Sequence, residues 1–77
     1  MRAEEWRTWE RELEGWPVNV TYYRVGCSCV TQIESSLSGA VIARGIAATR
    51  KDSEQQAFET ARERLLQTRR IELTVGG

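Results

Sequence analysis

The sequence predicts an α+β fold in the order α-β-β-α-β: an antiparallel three- to four-stranded sheet with two helices on one face. Three observations carry the prediction. Trp6, Trp9, Leu13 and Trp16 form an apolar stripe at helical spacing, residues 18–34 alternate strongly, and a capped, Ala-rich amphipathic stretch ends near Leu66. The 77 residues fit one domain, 1–77, near the lower size limit for a self-sufficient core.

The first predicted helix covers residues 2–14. Its stripe faces the core, Glu5, Arg7, Glu12 and Glu14 lie opposite, and Gly15 and Pro17 end it. The three Trp are expected in the core, because so small a domain needs the area of each ring; a partner-docking face is the alternative. Residues 18–34 contain a fault in their alternation: Val18, Val20 and Tyr22 share one parity, Tyr23, Val25, Cys27, Cys29, Thr31 and Ile33 the other. One long bulged strand is the preferred explanation, and two strands divided by a turn near Arg24–Gly26 the alternative. The ESSLSG stretch at 34–39 reads as a hairpin turn.

A return strand is expected over about residues 40–48, with Ala40, Ile42, Ile46 and Ala48 on one face and Gly45 marking a bulge or close approach. Thr49 or Asp52 caps the second helix, whose apolar face is Ala57, Phe58, Ala61, Leu65 and Leu66. The alternating tail, Ile71, Leu73 and Val75 against Glu72 and Thr74, predicts a closing edge strand. Trp6, Trp9, Leu13, Ile42, Ile46, Phe58, Ala61 and Leu65 are the expected core.

Eleven basic and eleven acidic residues balance overall. Residues 1–15 hold three Arg against five Glu, whereas 50–70 hold six basic residues against four acidic. This falls short of the basic field of a nucleic-acid binder. No apolar run approaches the ~20 residues of a membrane span. The N-terminus lacks the apolar segment of a secretory signal, so the expected location is cytoplasmic.

Chemistry-bearing constellations are few. Cys27 and Cys29 are the only metal-capable pair, and with no His and no further Cys they cannot close a four-ligand zinc site. Reduced thiols on the core face are expected. The missing His also removes the commonest general base, and the Ser residues sit in a strand and a turn. No catalytic residue, metal or cofactor is assigned, and the chain is expected not to be an enzyme.

Two resemblances bear on function. Gly45, the entry Thr49-Arg50-Lys51, and Ser53, Glu54, Ala57, Phe58, Ala61 and Leu65 resemble the C-terminal half of double-stranded RNA-binding domains, with their last strand, Gly, basic entry and Ala-rich helix. That resemblance implies that Arg50 and Lys51 touch phosphates across a groove. The hairpin followed by G-x-A-x-T…A…A…L is also similar in type to small phage-encoded proteins, anti-CRISPR inhibitors among them. It implies a compact α/β chain that acts by occupying a surface of a host complex, with acidic groups standing in for nucleic acid.

The preferred expectation is a non-enzymatic protein-binding module of this inhibitor type, directed at a host defence or nucleic-acid-processing complex. The expected contacts are Glu5, Glu12, Arg62 and Arg69. The alternative is a divergent duplex-RNA binder using Arg50 and Lys51. A homodimer formed through the 71–75 strand or the Trp helix is a further alternative.

Overall fold

The computed structural model describes the backbone of residues 3–76 and the side chains of residues 5–67. The chain forms β1 (Ala3–Leu13), β2 (Trp16–Val25), β3 (Ser28–Ser35), β4 (Val41–Ala47) and α1 (Arg50–Gly76). The four strands pair in sequence order, each antiparallel to the next. The order is therefore β-β-β-β-α, and one helix lies on the sheet where two were expected.

The first correction is β1, expected as a helix. Arg7, Trp9, Arg11 and Leu13 alternate with Thr8, Glu10 and Glu12, and they face Tyr22, Val20, Val18 and Trp16 across β2. A register shift between Glu4 and Arg7, with Glu5 at φ 56°, inserts a bulge. Strand alternation puts Trp6 and Trp9, three residues apart, on opposite faces, where a helix would have put them on one stripe. Glu14 (φ 53°) and Gly15 (φ 81°) then form a two-residue hairpin turn with both central residues left-handed. Gly15 serves this turn, and not a helix end.

The second correction concerns residues 18–34, which are two strands. Val25 pairs with Ser28 around Gly26 (φ 59°) and Cys27. A two-residue turn pairs even positions of one strand with odd positions of the next. The observed parity change therefore follows from the hairpin itself: Val20 faces Ile33 and Tyr22 faces Thr31. The β3–β4 hairpin falls in the expected ESSLSG stretch. There Ser35 Oγ accepts from the amides of Leu37 and Ser38 at 3.2 and 3.4 Å, and Gly39 adopts φ 75°.

The third correction is the tail. Residues 71–75 are helical, not an edge strand, because α1 continues through them. Gln67, Thr68, Arg69 and Arg70 include no Gly or Pro to stop a helix already propagating. At its start, the Asp52 amide donates to Thr49 Oγ1 at 3.2 Å, so Thr49 is the cap.

The core lies between α1 and one face of the sheet: Leu13, Val18, Val20, Ile33, Ala43, Ala57, Ala61 and Leu65 are buried, with Trp9, Trp16, Ile42 and Phe58 packed against them. Trp6 and Ile46, expected in this core, are exposed. The helix rests on Ala43 and Gly45, the opposite parity from Ile46. Gly45 allows the approach, since a Cβ there would sit 2.1 Å from the Ser53 carbonyl oxygen. Thr31 and Ser53, both fully buried, join sheet to helix through hydroxyls 2.8 Å apart.

Candidate functional site

Strand pairing sorts the side chains of the sheet onto two faces. The helix covers one. On the other, the register lines up three rows: Trp6, Tyr23, Val30 and Ile46; then Thr8, Thr21, Gln32 and Arg44; then Glu10, Asn19, Glu34 and Val41. Glu12, opposite Pro17, extends the third row. The open face thus grades from apolar, through polar, to acidic.

The apolar row lies beside the β1 bulge. Glu5 turns toward the helix side, where Oε1 lies 3.6 Å from Arg24 Nη1 and Oε2 lies 3.5 Å from the Tyr22 hydroxyl. Trp6, next to the helix-facing Arg7, lies on the open side by strand alternation. Its ring stacks on Tyr23 with centroids 5.0 Å apart and planes 15° from parallel, yet the residue stays 59% exposed. Ile46 at the far edge is 56% exposed, and between them Tyr23 and Ile46 flank the buried Val30.

The middle row is tied together by polar contacts. Gln32 Oε1 accepts from Arg44 Nε and Nη2 at 3.1 and 2.6 Å, and Gln32 Nε2 donates to Glu34 Oε1 at 2.6 Å. Thr8 and Thr21 hydroxyls lie 3.5 Å apart across β1 and β2.

On the helix side, Arg11 lies over the Phe58 ring at 4.7 Å, and Arg50 lies over Tyr22 at 4.6 Å and Trp9 at 5.7 Å. These guanidinium groups roof the margins of the core. From Arg7 onward β1 therefore sorts its charge by face: Arg7 and Arg11 toward the helix, Glu10 and Glu12 away from it.

Tyr22 is the one strongly perturbed acid among the described residues. Its hydroxyl is 3.4 Å from Cys29 Sγ, and that hydrogen bond, then burial, then the nearby Cys29 and Glu5 charges, push its pKa up to about 12; Arg50 opposes them. Cys29 is buried beside it, whereas Cys27 is exposed in the β2–β3 turn and not on the core face as expected.

The expected contact residues are not brought together. Glu5 is engaged on the helix side of β1, and Glu12 lies at the other end of that strand on the open face. Arg62 projects from α1 to Glu14, with Nε 3.2 Å from Oε1. The Arg69 side chain lies outside the described residues. Arg50 is held by Glu54 at 3.1 Å as well as by the two rings, while Lys51 is exposed in the first helical turn. The sequence pattern missed the Trp6–Tyr23 row. Its available signal was Tyr23, the first residue of the shifted parity.

Compared with protein-family models, curated proteins and solved structures, the chain shows no match. Among the described residues, no helix is long and apolar enough to cross a membrane.

Proposed function

We propose that this chain is a non-enzymatic protein-binding module that occupies a surface of a partner complex with the open face of its sheet. It would work in the manner of small phage-encoded, anti-CRISPR-like inhibitors, in the cytoplasm, against a host defence or nucleic-acid-processing complex. One observation carries the reading: Trp6, stacked on Tyr23, is 59% exposed on the face opposite the helix. A domain this small needs the apolar area of every large ring, and Trp and Tyr dominate binding hot spots. A Trp directed away from the core is best explained by a partner that covers it.

The edge of β1 argues against the homodimer as the main mode. In any symmetric antiparallel pairing of two β1 edges, directly opposed residues share a face. Arg7 and Arg11 lie on one face and Glu10 and Glu12 on the other, so no register opposes either Arg to Glu10 or Glu12. Glu5, on the Arg face, is already engaged by Arg24 and Tyr22. The duplex-RNA alternative is weakened as well, since Arg50 is engaged by Trp9, Tyr22 and Glu54.

The test is recovery of a tagged copy from its native cells, beside Trp6→Ala. A complex retained by the parent and lost by the variant is the expected result. Recovery of both proteins alone overturns the reading, and recovery of RNA that depends on Lys51 would replace it.

A further inference from the structure

Resting on that reading, we propose that the open face selects a protein segment carrying basic residues beside an apolar anchor, with Trp6, Tyr23 and Ile46 taking the anchor and Glu10, Glu12 and Glu34 taking the basic groups.

Among the described residues the face presents three carboxylates against one cation, Arg44, and that cation is already tied to Gln32. The carboxylates occupy one end of the face and the uncovered aromatic row the other, separated by the Thr8–Arg44 row. An occupant must therefore match an apolar zone and an acidic zone along one strand direction. A basic segment with an apolar residue does so, and the charges set its direction and register.

Other occupants meet a penalty. Aromatic rings on an open sheet suit stacked bases, but a single strand extended along the face would bring its phosphates to the carboxylate row. A second copy packed face to face with the same strand level would oppose Glu row to Glu row.

Three Trp-free probes separate these cases in NMR titrations of the full chain: a short amphipathic Arg/Leu peptide, its Glu/Leu counterpart, and a single-stranded oligonucleotide. The Trp6 indole signal is assigned by Trp6→Phe. The expected result is that the Arg/Leu peptide shifts the Trp6 indole and the amides of Glu10, Gln32 and Glu34. That binding should weaken with added salt and fall about tenfold in the Glu10→Gln/Glu12→Gln/Glu34→Gln variant, equivalent to about 1.4 kcal/mol. Equal or preferred binding of the Glu/Leu peptide at Trp6 would overturn the basic-partner inference and leave the open-face reading standing. Preferred binding of the oligonucleotide would overturn both in favour of nucleic acid. If no probe moves the Trp6 signal, both fail. The variant's fold is checked independently by its unchanged buried-core methyl signals.

Discussion

The Gly45 α-carbon lies so close to Ser53 that a Cβ there would meet the Ser53 carbonyl oxygen at 2.1 Å and the Ala57 amide nitrogen at 2.8 Å. Both obstacles are helix backbone, so no side-chain rotation relieves them. Gly45→Ala must push α1 away from β4, loosening the packing of Ala57 and Ala61 behind it. Overpacking of this kind costs about 1–3 kcal/mol, and a clash with backbone belongs at the upper end. Urea unfolding should show a lower midpoint. An unchanged midpoint would mean that the helix does not sit on this strand.

Thr31 and Ser53 make a second link across the same interface, and it is polar. Ser53 Oγ donates to the Arg50 carbonyl at 2.9 Å, which leaves its oxygen to accept from Thr31 Oγ1 at 2.8 Å. Thr31→Val keeps the shape and leaves the fully buried Ser53 oxygen without its donor, at a cost of about 1–2 kcal/mol. Adding Ser53→Ala should cost less than the sum of the two single changes. A double-mutant cycle with coupling indistinguishable from zero would show that the two hydroxyls do not interact.

Tyr22 should make stability fall at high pH. Its folded pKa is about 12 against an ordinary 10.0, so between those values the folded state holds a proton that the unfolded state has lost. Stability contributed by the neutral phenol is complete below about pH 10 and lost progressively as pH rises toward about 12. Tyrosinate absorbance should reveal a phenol ionising near the upper value, and Tyr22→Phe should flatten the alkaline decline. A decline equally steep in the variant would place its origin elsewhere.

Where sequence and structure part, a local pattern had two geometric solutions. The parity change between Tyr22 and Tyr23 is produced equally by a bulge and by a two-residue hairpin. Only the partner strand decides, and Val20 facing Ile33 chooses the hairpin. The Trp6–Trp9 spacing fits one face of a helix and equally the two faces of a strand. Glu, Arg and Leu favour the former locally, but pairing with β2 overrides propensity. The capped, Ala-rich second helix was legible because its Thr49 cap and its Ala57, Ala61 and Leu65 face are all local features. The face it rests on was misjudged, because the closest contact went to Ala43 and Gly45 and not to the larger Ile46. The Trp6–Tyr23 row was illegible for a related reason: Trp6 becomes a surface residue only because β1 is a strand, which non-local pairing with β2 decides.

The turn at Glu14–Gly15 tests the corrected first element directly. Both residues have left-handed φ, 53° and 81°, as a hairpin of this kind requires. Glu tolerates that conformation poorly, Asn well, and a β-branched residue worst. Glu14→Asn should therefore match or exceed the parent in stability despite losing the exposed Arg62 pair, which is worth at most about 1 kcal/mol. Glu14→Val should lose about 1–2 kcal/mol relative to Asn, the penalty for a left-handed L-residue with a branched Cβ. In a helix ending at Gly15, position 14 would carry right-handed dihedrals, and Asn there would gain nothing over Glu. Thermal melts that rank Asn below Glu, or Val level with Asn, would return β1 to a helix and take the Trp6 row with it.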